Sequence, residues 1–145
     1  MRRFFVVLIL MILLSTNAYA GTVNMEIFNT YADLFTVEPI ENQTPSSTET
    51  WTYYFVDDIR VAFGRKDKAA ISITGNGDGF LAYSSAALMT MDPDNSHVSA
   101  NLGQLLTYYL MLRDDPSEKH TGVLNNGVAF DIWKKEGTYT MLVVE

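Results

Sequence analysis

The 145-residue chain has no cysteine. That excludes disulfides, thiolate metal ligands, a thiol nucleophile and a lipid-modified cysteine. Basic residues are also scarce: 10 Lys and Arg stand against 17 Asp and Glu, a formal charge of −7. Nucleic-acid binders draw affinity from clustered Lys and Arg on phosphate, so this balance argues against such a partner. Histidine occurs only at His97 and His120. Neither has a His or Cys neighbour at ligand spacing, and no H-E-x-x-H is present, so the pattern calls for no metal. The phosphate loop G-x-x-x-x-G-K-[ST] is missing too, and no cofactor is expected.

Long apolar runs are missing after Leu14. The one run that exists, Phe4 to Leu14, follows Arg2 and Arg3 and leads through Ser15-Thr16-Asn17 to Ala18-Tyr19-Ala20. A basic start, a short apolar stretch and an A-x-A site are the parts of a secretory leader. Spanning a bilayer as helix takes about 20 apolar residues, and this run has 11. Residues 1–20 are therefore expected to be a cleaved signal peptide, leaving a periplasmic or secreted protein with no stable membrane span. The rest, residues 21–145, carries 8 basic and 17 acidic residues, 8 − 17 = −9. That length fits one domain with a core large enough to need no cross-links.

Asn24 to Phe35 reads as a short amphipathic helix, with Ile27, Tyr31 and Leu34 on one stripe and Thr22 or Asn24 as its cap. Residues 41–50 (ENQTPSSTET) have no large apolar side chain and read as a mobile loop. Asn42-Gln43-Thr44 within it matches a glycosylation triplet. From Trp51 the period becomes two. Trp51 to Val56 and Ile59 to Phe63 alternate on either side of Asp57-Asp58, as one bent strand or as two strands joined by a tight turn. Ala70 to Thr74 is a further strand. Gly75-Asn76-Gly77-Asp78-Gly79 reads as a hairpin connection into a strand over Phe80 to Met91.

A long helix is expected over about 96–113, with Val98, Leu102, Leu105, Tyr109 and Leu112 at helical spacing, widened by Leu106 and Leu110. Asn95 or Ser96 would cap it, and Asp114-Asp115-Pro116 stops it. A closing hairpin follows, Val128 to Trp133 and Tyr139 to Val144 about the turn Lys134 to Gly137. The fold class expected is α+β: an antiparallel meander of about five to six strands, one long helix on one face, and a short N-terminal helix.

The chemistry of the candidate motifs is thin. Asn76, Asp78 and Gly79 resemble the middle of a calcium loop, but Thr74 and Ser85 stand where the two strongest ligands belong, and both flanks read as strands. Gly75-x-Gly77-x-Gly79 has the wrong spacing for dinucleotide binding and leads into a strand. Ser84 and Ser85 lack a G-x-S-x-G elbow. What remains is surface: acidic loops at Asp57-Asp58 and Asp114-Asp115, and aromatic side chains that anchor interfaces. The reading is an exported, non-catalytic protein-binding domain, of inhibitor or immunity type, acting on a basic protein. Its contacts would be Asp57, Asp58, Asp114 and Asp115 as charge and Tyr54 and Tyr108 as anchors. The alternatives are a small hydrolase with a Ser/His/Asp or paired-carboxylate site, and a carrier of a small apolar ligand held between sheet and helix.

Overall fold

The computed structural model of the chain describes residues 23–40, 45–65 and 68–145. The expected leader, residues 1–20, and the Asn42 triplet lie outside the described residues. Alternating side chains build the strands β1 (Ser46–Ser47), β2 (Trp51–Val56), β3 (Ile59–Gly64), β4 (Ala70–Gly75), β5 (His120–Val123), β6 (Ala129–Lys135) and β7 (Thr138–Val144). They form one antiparallel sheet in the order β1-β2-β3-β4-β7-β6-β5. Among the described residues three α-helices accompany it: α1 (Met25–Leu34), α2 (Gly77–Met91) and α3 (Val98–Asp114). The class is α+β, as the patterning predicts, with seven strands in place of five or six.

Two edge strands are additional: β5, paired with β6 through His120 and Ile132, and β1, which comes from the segment read as a loop. Ser46 pairs with Tyr53 and Ser47 with Thr52. Asp57-Asp58 makes a tight turn, because Val56 pairs with Ile59. Asp57 takes the left-handed conformation there (φ 53°), which a short polar side chain tolerates.

The largest departure is α2, where a strand over Phe80 to Met91 was expected. Phe80, Tyr83, Ser84, Ala86, Ala87, Leu88 and Met89 are all buried. The helix packs on the sheet and contacts both of its sister helices, so apolar residues surround most of it and the helical period is erased. The glycine-rich segment is therefore a strand-to-helix passage, not a hairpin. Gly75 closes β4 against Ile59, whose Cδ1 occupies the space a Cβ at residue 75 would fill. Asn76, with its amide nitrogen turned to the carbonyls of Gly75 and Gly137 (3.1 and 2.8 Å), ties this passage to the β6–β7 turn.

The other two helices are placed as expected, with shifted details. Asn24 caps α1 by accepting from the Ile27 N–H at 3.2 Å. The buried side of α1 is Phe28, Asn29 and Ala32, whereas Ile27 and Leu34 are exposed. Helix α3 begins at Val98, after a single 3-10 turn over Asn95–His97. Asp94 caps that turn, accepting from the Ser96 N–H at 3.0 Å, in place of Asn95 or Ser96. Leu105 and Leu112 are buried, but Leu106 and Leu110 lie on the outer side.

The register separates two faces of the sheet. Directly paired residues share a face, so Tyr54, Val61, Ile73, Met141 and Ile132 form one row and Phe63, Ile71, Val143 and Phe130 another. These rows meet the helices: Phe63 packs edge-on to Phe28, Tyr139 lies against Phe80 and Tyr109, and Phe130 against Tyr108. All three helices cover this face. The core is the layer between them.

Candidate functional site

Among the described residues, no helix lies on the opposite face of the sheet. Antiparallel sheets of this kind usually turn polar side chains outward. Here β2 turns out Trp51, Tyr53 and Phe55, β6 turns out Trp133, and β7 turns out Leu142 and Val144. Phe55 is 56% exposed and Val144 37%, and Trp51, Tyr53, Trp133 and Leu142 are half-buried. Between the two apolar walls the strands carry small residues: Ala62 on β3, Ser72 and Ala70 on β4. One charged side chain rises from that low floor. Arg60 lies over the Tyr53 ring, 5.3 Å from its centroid, and its Nη2 donates to Thr74 Oγ1 at 3.3 Å. Thr74 in turn meets Thr140 Oγ1 at 3.3 Å. Aromatic and apolar side chains gathered on one open face make it a candidate interaction surface.

Among the described residues, clefts open from this face on either side of Leu142. The larger, of about 520 Å³, is lined by Trp133, Leu142, Asp131, Lys119 and Lys135, with Pro116 to Glu118 at its mouth. Lys119 pairs with Asp131 at 3.4 Å, and Thr121 donates to the same carboxylate at 2.6 Å. The smaller, of about 140 Å³, lies between Asp131, Leu142, Val144 and the neighbouring Ala129 and Phe130.

The acidic loops border one end of the sheet. Strand directions put the β2–β3 turn (Asp57, Asp58), the start of α2 (Asp78), the β6–β7 turn (Glu136) and the α3–β5 connection (Asp114, Asp115, Glu118) at that same end. The two predicted aspartate pairs thus share an edge. Asp57 and Asp58 line a third cleft of about 350 Å³ together with Glu38, Val56, Ile59 and Tyr83. Burial pushes the Tyr83 hydroxyl up to about 12, and the charges of Glu38 and Asp57 add to it. Its hydroxyl donates to the Glu38 carbonyl at 2.7 Å. Asp115 is held below the ordinary carboxylate range by the Ser117 hydroxyl and N–H, at 2.7 and 3.1 Å.

The predicted aromatic anchors sit elsewhere. Tyr54 is 7% exposed, edge-on to Phe63 in the core, and has no surface to offer. Tyr108 stacks on His120 with centroids 5.1 Å apart, in the seam between α3 and β5 on the helix side. The outward aromatics of β2 are its neighbours in sequence, Tyr53 and Phe55. Period-two alternation was legible, but both phases are aromatic, so composition does not say which one faces solvent.

His97 Nδ1 stands 3.3 Å from Asp92 Oδ2, an aspartate–histidine pair. The nearby Ser96 hydroxyl donates to Asp94 at 2.8 Å instead of to the imidazole. Among the described residues, no serine hydroxyl is hydrogen-bonded to either histidine. Ser84 is fully buried within α2. No three side chains of metal-binding type stand together among the described residues. The glycine-rich passage does lead into a helix, contrary to expectation, and one flank of the calcium-like segment is therefore helical. Thr74 and Ser85 still lack the carboxylates that calcium needs, and Asp78 in the first turn of α2 repels an anion. No described helix is long and apolar enough to cross a membrane. Comparison with protein-family models, with curated proteins and with solved structures finds no match to this chain.

Proposed function

We propose that the protein is an exported, non-catalytic binding domain that docks another protein on the open face of its sheet. The observation that carries this reading is the uncovered face itself, with Trp51, Tyr53 and Phe55 along one side and Trp133, Leu142 and Val144 along the other. Aromatic side chains and arginine dominate the energetics of protein interfaces, and this face supplies both. The acidic loops at its end select the partner. A protein with an apolar patch bordered by lysines or arginines fits the geometry, and the charge at Asp57, Asp58, Asp114 and Asp115 accelerates its approach. An inhibitor or immunity-type protein set against a basic enzyme is the concrete form of this reading, by analogy of size and charge alone.

The test is differential capture from an extract of native cells. Three baits are compared: the mature protein, a Phe55→Ser/Trp133→Ser variant, and a Leu106→Ser/Met111→Ser control on the outer side of α3. One protein retained by the wild type and the control, and lost from the sheet-face variant, supports the reading. A partner retained equally by all three baits overturns it.

A further inference from the structure

We infer that Arg60 is the receptor for a carboxylate that the partner protein inserts at the centre of the open face. This rests on the reading of that face as a docking surface and adds the chemistry of one contact. Arg60 stands in a row that runs across the sheet from Phe55 through Thr74 and Thr140 to Trp133. The Tyr53 ring satisfies the flat side of the guanidinium, which leaves its in-plane N–H donors to be accounted for. Nη2 reaches Thr74 at a long 3.3 Å. Nε is buried and has no acceptor. Among the described residues no carboxylate pairs with Arg60; the four ion pairs there lie at His97 (two), Arg113 and Lys119.

An acidic chain has thus placed a half-buried guanidinium where none of its described carboxylates compensates it. A buried donor without an acceptor is destabilising, and such groups call for an explanation. A carboxylate supplies one once docking turns the half-exposed guanidinium outward from Thr74: its two oxygens match the planar fork of Arg, and the aromatic surroundings would shield the pair from water. The breadth of the face assigns that carboxylate to an Asp or Glu side chain of a docked protein. The partner then carries one acidic residue within its apolar patch and basic residues around it.

The first test uses sodium benzoate as the carboxylate probe and benzamide as its neutral counterpart. The Arg Nε–Hε resonances of the ¹⁵N-labelled protein are followed in wild type, Arg60→Gln and Arg60→Lys, each checked for native circular dichroism. A saturable benzoate shift at Arg60, absent at Arg65 and Arg113 and absent with benzamide, supports the inference. So does a Trp133 perturbation that vanishes in Arg60→Gln and needs about tenfold more benzoate in Arg60→Lys, which keeps the charge without the fork. No saturable shift, or an equal one with benzamide, overturns it. The second test uses the captured partner. Loss of about tenfold or more in affinity for Arg60→Gln supports the partner as source. Unchanged affinity for Arg60→Gln alongside loss of binding by Phe55→Ser/Trp133→Ser overturns the Arg60 inference alone. Unchanged affinity in both overturns the docking face itself.

Discussion

The side chain of Gln104 on α3 closes on the backbone of Val123 at the edge of the sheet with both of its amide atoms. Its Nε2 donates to the Val123 carbonyl at 2.8 Å, and its Oε1 accepts from the Val123 N–H at 3.1 Å. An edge strand exposes unpaired backbone groups that recruit other strands, and here a helix side chain occupies them. Gly122 makes the approach possible, because a Cβ there would meet Phe130 and would lie 2.9 Å from Gln104 Oε1.

Replacing Gln104 by Ala is expected to cost about 1 kcal/mol and to free the edge of β5 for self-association. Gly122→Ala is expected to cost about 1–3 kcal/mol through overpacking. Urea denaturation with light scattering reads both. A Gln104→Ala protein as stable and as monodisperse as the wild type would contradict the edge-blocking role.

A second polar contact, one turn earlier, locks the start of α3. Buried Asn101 donates to Asp92 at 2.9 Å and accepts from the Asn125 N–H at 3.2 Å, joining the end of α2 to the β5–β6 turn. Asn101→Ala leaves buried Asp92 with His97 and strands the Asn125 backbone donor. It is expected to cost about 1–3 kcal/mol, measured by thermal or urea unfolding. Asn101→Asp is expected to cost more at neutral pH, because it faces one carboxylate with another.

Tyr83 sets an alkaline limit. Its hydroxyl ordinarily loses its proton near 10.0, and in the fold near 12, chiefly because burial penalises the anion. Through that window the unfolded chain has released a proton that the native state still holds. Stability contributed by the neutral hydroxyl is complete below pH 10 and falls as pH rises toward about 12. Tyr83→Phe is expected to lose about 1 kcal/mol at neutral pH with the bond to Glu38, and to show a shallower decline above pH 10. Parallel denaturation curves across that range check it; identical alkaline slopes would contradict it.

The acidic edge predicts a kinetic signature. Exchanging Asp57, Asp58, Asp114 and Asp115 for Asn is expected to slow association with the captured partner, and to flatten its dependence on salt while leaving dissociation nearly unchanged. Stopped-flow or surface-based kinetics at several ionic strengths measure this. An unaltered association rate would remove the steering role from these loops.

How far the sequence carries depends on which faces are buried. Where a strand has one covered and one open face, alternation fixes its existence, and β2, β3, β4, β6 and β7 were all legible. The cap Asn24 and the stop at Asp114-Asp115-Pro116 bounded α1 and α3. Helix α2 was not legible as a helix, because it is apolar on most sides. Its Ala82, Ala86, Ala87, Leu88 and Met89, all good helix formers, were the signal that outweighs the missing period. The acidic loops were readable from Asp57-Asp58 and Asp114-Asp115. Tyr54 was read as an outward side chain, whereas it is buried and its neighbours Tyr53 and Phe55 turn outward. Arg60 carries its meaning only through what the sheet places beside it.

Hydroxyl-radical footprinting of the protein, alone and with its captured partner, reads the docking face side chain by side chain. The account predicts several-fold protection of Trp51, Phe55 and Trp133 in the complex, with Met111 and Leu106 on the outer side of α3 oxidised as in the free protein. Protection at Met111 and Leu106 with Phe55 and Trp133 left open would contradict it.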